Sequence, residues 1–307
     1  MRSTRMRFRG RRLGAMLVGL MLVLAACGDD DDNGGDGGGD GGQSVTVAAF
    51  DFAESNILAQ IYGQALEGAG FDVTVEESFG ARPAVLAGLE DGSVDLAPEY
   101  VGAVLNELEG PDTATSDLDE SVAALDTALE ADGLVAFDAS PAEDVDALAV
   151  TQETADQFGL VTYSDLAAVA GELTLGAPPE CEEFAACIPG LRDVYGIEFG
   201  TFTPLDAGPV IFEALDNGDI DVARVFSTDP PLADLVVLED DMGLNPVQNV
   251  VPVAVADLDT SDVADVVNAV SAALTTEDLI ELNGRVIIDL EDPEDVAADW
   301  LADNDLA

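Results

Sequence analysis

Lysine and histidine are both absent from these 307 residues, and each absence removes a class of chemistry. Without imidazole there is no histidine base, no His metal ligand and no Ser-His-Asp triad. Without Lys there is neither a Schiff base nor a P-loop. Positive charge is scarce altogether: ten Arg stand against 63 Asp and Glu, a formal net charge of −53. That imbalance makes nucleic acid and anionic surfaces poor partners. Only three Cys are present, and the longest apolar run, Leu13–Ala26, is too short to span a bilayer. Any enzyme here would have to work with carboxylates alone, so no catalytic residue, cofactor or metal site is expected.

What positive charge there is gathers at the start. Arg2, Arg5, Arg7, Arg9, Arg11 and Arg12 precede the apolar run, which ends in "LAAC". A basic start followed by a short apolar stretch is an export signal over 1–26. The ending resembles the lipobox of bacterial lipoproteins, in which Cys27 becomes the lipidated N-terminus. A plain secretory signal with a stray Cys is the alternative, and a twin-Arg route through Arg11-Arg12 is weakly signalled. Residues 27–43 are dominated by Gly and Asp, which can bury nothing, so they read as an extended tether rather than a calcium loop. The expected location is the outer face of the cell membrane, held there by lipid.

Beyond the tether only Arg82, Arg192, Arg224 and Arg285 offset the acids. Self-repulsion of that size opposes compaction at low salt, whereas molar salt shortens screening to about 3 Å. The chain therefore reads as one that works in high salt. A disordered polyacid is the alternative, but 48% hydrophobic residues in periodic runs oppose it. Cys181 and Cys187, six residues apart in an exported chain, fit a disulfide better than a metal site or nucleophile.

The segment "GLEDGSVDLAPEY" (88–100) is echoed by "ALDNGDIDVARVF" (214–226). Each reads as a helix end, a Gly cap at Gly92 or Gly218, a short strand of the form Φ-Asp-Φ-Ala (Φ, an apolar residue), and a break. In the first copy Pro98-Glu99-Tyr100 is expected to interrupt the strand. Upstream, "VTVAAF", a helix over about 55–69 and "FDVTV" are matched by "LTLGAP", a helix over about 188–195 and "IEFGTFT". This spacing predicts two α/β lobes on mostly parallel sheets. "VDALAVT" (145–151) and "VQNVVPVAV" (247–255) would be the crossings between them. Helices follow over 260–274, 277–288 and 293–301, with Thr260, Ser261 and Thr276 as cap candidates. Two crossings imply two hinges and a cleft, with Glu99-Tyr100 facing Val225-Phe226-Ser227-Thr228 across it.

"FAESNILAQIYGQALE", "GSVDLAPEYVGAVL", "DAGPVIFEALDNGDIDVARVFSTDPPL" and "VVLEDDMGLNPVQNVVPV" resemble, in that order, the glycine betaine/choline-type substrate-binding proteins of ABC importers. The resemblance runs from about residue 45 to the end. It implies an α/β, two-lobed type II periplasmic-binding-protein fold with a ligand cleft between the lobes and two hinge crossings. The first lobe would be 44–147 completed by 251–307, and the second 148–250. It also implies a monomeric receptor, not an enzyme, that closes on a compatible solute and delivers it to ABC permease subunits.

Family ligands are held by aromatic faces around a quaternary ammonium. Tyr100 matches the cage Tyr, with capping of the core as its alternative role. Glu99, Asp51, Glu54, Ser55 and Thr228 supply polar groups near the cleft, and Phe226 an aromatic one. Elsewhere the chain departs from the pattern. Asp146 stands where relatives place an aromatic, Ile211 near another cage position, and Phe184 where some relatives place Arg. Arg82 or Arg224 would then be the candidate carboxylate anchor. A pocket built on the charge of Asp146 is the rival to the cage. A solute receptor of the same fold for another molecule, a signalling lipoprotein and a carboxylate-only hydrolase complete the readings.

Overall fold

The computed structural model describes residues 43–307 apart from Asp112 and Asp259. The export signal, Cys27 and nearly all of the tether lie outside the described residues. In chain order come β1 (Ser44–Phe50), α1 (Ala53–Gly68), β2 (Asp72–Gly80), α2 (Arg82–Asp91), β3 (Leu96–Tyr100), α3 (Val101–Glu109), α4 (Leu118–Asp132) and β4 (Leu134–Ala136). Next are β5 (Asp146–Val150), α5 (Gln152–Phe158), α6 (Tyr163–Leu166), β6 (Thr174–Ala177), α7 (Ile188–Gly190), β7 (Thr201–Pro204), α8 (Pro209–Asp216), β8 (Val222–Phe226) and β9 (Val236–Val237). β10 (Val250–Val255), α9 (Ser261–Ala273), α10 (Thr276–Ile287) and α11 (Pro293–Asp303) close the chain.

Two five-stranded sheets result, with orders β2-β1-β3-β10-β4 and β7-β6-β8-β5-β9. They have the same plan, which is the structural content of the echo. In each, the first of the repeat's three strands lies in the middle, with the second on one side and the third on the other, all parallel. The Asp of Φ-Asp-Φ-Ala has one job in both copies. Asp95 accepts from the Thr46 N–H at 2.7 Å, and Asp221 from the Thr174 N–H at 2.8 Å. Each carboxylate thus ties the start of the third strand to the first. Gly92 and Gly218 adopt φ of 76° and 72°, the left-handed turn that ends the preceding helix.

Two expectations are corrected here. The sheets are mixed rather than mostly parallel, because the crossing segments themselves enter them as antiparallel strands: β5 between β8 and β9, β10 between β3 and β4. Pro98 does not interrupt β3, which runs on to Tyr100 at the centre of its sheet. Its register partner on β10 is Pro252, whose carbonyl accepts from the Phe137 N–H on the side away from β3.

Thr260 caps α9 as expected, but α10 is capped by Thr275, not Thr276, and Ser261 lies inside α9. Asp278, three residues on, completes a capping box by accepting from the Thr275 N–H at 2.9 Å. Thr276 instead accepts from the Glu143 N–H, tying α10 to the outgoing crossing.

Both faces of each sheet are covered. Ile57, Val263, Leu279 and Trp300 pack on one face of the first sheet, and Val85, Val104 and Leu125 on the other. The second sheet is buried between clusters containing Leu166 and Leu191 and containing Ile211 and Leu215. Cys181 and Cys187 are joined in a disulfide with Cα atoms 5.2 Å apart. Among the described residues no helix is long and apolar enough to cross a membrane.

Candidate ligand-binding site

The carboxyl end of β1, the start of α1, the β3–α3 junction and the turn after β8 converge on one cavity of about 490 Å³. Phe52, Tyr100 and Phe226 bring aromatic rings to it, and Glu54, Asp144 and Asp229 bring carboxylates. The size suits a small organic solute. A larger hollow of about 570 Å³ lies between α3 and the disulfide loop, but it carries one carboxylate, Glu107, and one ring, Phe184.

The aromatic side is a stack. Phe50 and Phe52 lie 5.8 Å apart between centroids, and Phe52 and Tyr100 6.4 Å. Tyr100 is 5% exposed, whereas Phe52 and Phe226 are each 43% exposed and present open faces. Packing beneath the stack comes from Arg82, whose guanidinium sits 5.1 Å from the Phe50 centroid.

The polar side is a network that joins the two sheets. Tyr100 donates its hydroxyl hydrogen to Glu54 Oε1 at 2.6 Å, while Asn283 Nδ2 donates to Glu54 Oε2 at 2.6 Å. The same Asn283 amide reaches the Thr228 carbonyl at 3.1 Å, and the Thr228 hydroxyl donates to Asp144 at 2.9 Å. Asp229 holds the turn after β8 by accepting from the Phe226 N–H at 2.9 Å. Burial raises the Asp144 pKa to about 8; the nearby Glu54 and Asp229 charges add to the rise, and the bonds from Thr228 oppose it. Burial also raises the Asp229 pKa, with Glu54 contributing in the same direction.

Of the residues singled out in the sequence, Tyr100, Glu54, Arg82, Phe226 and Thr228 are brought together on the cavity wall. The others are not. Glu99 is fully buried behind the wall, where Arg82 Nε meets its oxygens at 2.9 and 3.2 Å. Burial nevertheless raises its pKa, against the lowering influence of Arg82. The Ser55 hydroxyl is occupied by the Phe50 N–H at 2.8 Å, and Asp51 is exposed away from the cavity. The Ser227 hydroxyl accepts from the Val145 N–H and donates to the Glu143 carbonyl. Asp146 pairs with Arg224 at 2.5 Å and borders a neighbouring hollow, so it does not supply the cavity's charge. Arg224 also covers the Phe184 ring at 5.4 Å, and Ile211 is core.

Eight residues on the wall escaped sequence reasoning, among them Phe52, Asp144, Asp229 and Asn283. Asp229 stands in the conspicuous "FSTD" and Phe52 beside the first helix, so position could have flagged them. Asp144 and Asn283 carried no such signal.

Comparison with known proteins agrees with this geometry. A family model, the substrate-binding domain of ABC-type glycine betaine transport systems, matches residues 43–303. A glycine-betaine-binding protein of Pseudomonas aeruginosa is 31% identical over 282 residues, covering 86% of this chain and 89% of the relative. The carnitine transport binding protein OpuCC of Listeria monocytogenes is 27% identical over 277 residues, covering 86% and 89%. A crystal structure of a glycine betaine/carnitine/choline ABC transporter superimposes with a TM-score of 0.80 at 25% identity, over 85% of this chain and 99% of that one. Its relatives are extracytoplasmic solute-binding proteins rather than enzymes, and such proteins work with permease subunits. The chain belongs to the family of substrate-binding domains of ABC-type glycine betaine transport systems, and it is the solute-binding component of such an importer.

Proposed function

We propose that the chain captures a small quaternary-ammonium solute of the glycine betaine/choline kind in the cavity between the two sheets. The observation that carries this is the pairing of three aromatic rings, Phe52, Tyr100 and Phe226, with three carboxylates, Glu54, Asp144 and Asp229, on one wall. Rings attract a cation through their negative faces, by up to about 2 kcal/mol for each desolvated contact. Carboxylates add a through-space attraction that the partly buried setting screens little. Capture proceeds by closure of a lobe of 44–147 and 251–307 on a lobe of 148–250 about the two crossings. The closed form, monomeric and tethered through lipid on Cys27, is what the permease receives.

The test is thermal. Choline, glycine betaine, carnitine and ectoine are added in turn to the purified protein in molar salt, and its melting curve is followed. A ligand at a hundred times its Kd stabilises by about 2.7 kcal/mol, which is readily seen. A melting temperature that none of the first three compounds raises would remove the proposal.

A further inference from the structure

The cavity has more negative charge and more hydrogen-bond acceptors than its own residues satisfy. Its one cationic side chain, Arg82, is engaged through Nε with both oxygens of the buried Glu99, which leaves Glu54, Asp144 and Asp229 without a counter-ion on the wall. The nearest alternative, Arg224, is paired with Asp146 beside a different hollow. The two hydroxyl donors on the wall are committed, Tyr100 to Glu54 and Thr228 to Asp144. The Gln248 side-chain oxygen accepts from the Ala103 N–H.

Asn283 shows what is missing. Its Nδ2 has two acceptors, but its Oδ1 has no partner although the side chain is 3% exposed and lines the same cavity. Turning the amide over would set that oxygen against the Glu54 carboxylate and gain nothing. An unpaired buried acceptor is destabilising, and a ligand donor would relieve it. Glycine betaine and carnitine are zwitterions. Either would have to place its own carboxylate in a cavity that already holds three, with Arg82, whose Nε serves Glu99, as the one cation on the wall to meet it.

We propose that Asp144, with Glu54 and Asp229, determines specificity here: the site selects a cation that lacks a carboxylate and carries a hydrogen-bond donor, as choline does, over zwitterionic betaines. The inference rests on the reading of the cavity as a quaternary-ammonium site. The groups that face Asp144 are Glu54 and Tyr100 from the first sheet's side, Thr228 and Asp229 from the turn after β8, and Asn283 from α10. With Asp144 titrating near 8, the empty cluster holds a proton at neutral pH that an entering cation displaces. Binding therefore tightens as pH rises towards 8, by at most about tenfold per unit for one displaced proton.

Calorimetric titrations of choline and glycine betaine in molar salt, at pH 6 and pH 8, test this on the wild type, Asp144→Asn and Asp229→Asn. Melting curves of the free variants verify that they are folded. Choline should bind at least tenfold more tightly than glycine betaine at pH 8 and weaken at pH 6. Its enthalpy should differ between buffers of different ionisation heat, reporting the released proton. Asp144→Asn should weaken choline at pH 8, remove most of its pH dependence and narrow its advantage over glycine betaine; Asp229→Asn should narrow that advantage as well. Glycine betaine binding as tightly as choline, or an advantage unchanged in both variants, overturns the specificity assignment and leaves the quaternary-ammonium reading standing. No binding of either compound, nor of carnitine, overturns both.

Discussion

At the scale of single residues, Tyr100 and Glu99 are neighbours with opposite duties. The Tyr100 ring forms cavity wall and its hydroxyl holds Glu54, so the two parts can be separated by mutation. Tyr100→Ala should cost about 1–2 kcal/mol of choline binding, a five- to thirty-fold loss. Tyr100→Phe keeps the ring and should cost less; equal losses in calorimetry would mean the hydroxyl rather than the ring matters. Glu99 faces away from the cavity and depends on Arg82. Removing that partner (Arg82→Ala) leaves a fully buried carboxylate alone, at a cost of about 3–5 kcal/mol near neutral pH. The sign of its pH dependence follows from burial, which raises the folded-state pKa of Glu99 above its unfolded value. The folded form then binds more protons, so stability is greatest below the unfolded pKa and is lost as pH rises through the folded one. Denaturant titration of Arg82→Ala at pH 5 and pH 8 should find the deficit smaller at pH 5; a deficit independent of pH would contradict this.

At the scale of elements, the fold depends on how closely the return crossing lies against the β3–α3 junction. The Gly102 N–H donates to the Val247 carbonyl at 3.1 Å, and a Cβ on Gly102 would come within 2.4 Å of that oxygen. This is why the Pro-Glu-Tyr stretch is followed by Val and then Gly. Gly102→Ala should push the crossing away, at a cost of about 1–3 kcal/mol in chemical denaturation. Because residue 247 leads into Gln248 on the cavity wall, choline affinity should fall as well. Unchanged stability would show that the crossing can retreat freely.

Across the whole molecule, charge is the dominant fact. All four Arg among the described residues are in ion pairs, Arg192 with Asp193 and Arg285 with Glu291 and Asp299 besides the two near the cavities. Most acidic side chains therefore face solvent and one another without a cation. Salt shortens the reach of that repulsion from about 10 Å at 0.1 M to about 3 Å at 1 M. The melting temperature should rise steadily between those concentrations, more for the free protein than for a choline complex whose cavity charge is already met. A flat or falling curve by calorimetry would show that repulsion is not what limits stability.

Local grammar determined much of this protein. Glycines at helix ends, Asp in the repeated Φ-Asp-Φ-Ala, alternating apolar residues and the crossing segments made two α/β halves and a cleft legible from sequence, since each depends on residues within a few positions. Tyr100, Phe226 and Thr228 were legible at the cleft because they stand where strands end. Pairing decided the remainder. Pro98 is carried into a central strand opposite Pro252, and β5 and β10 are antiparallel because the chain enters each sheet from the other half. Glu54 meets Asn283 across 229 positions, and Asp144 meets Thr228 across 84. Among 63 acids, no sequence pattern marks the few that lose their water. Desolvation gives Asp144 its shifted titration and leaves Asn283 Oδ1 unpaired, and desolvation exists only once the two sheets have closed around those groups.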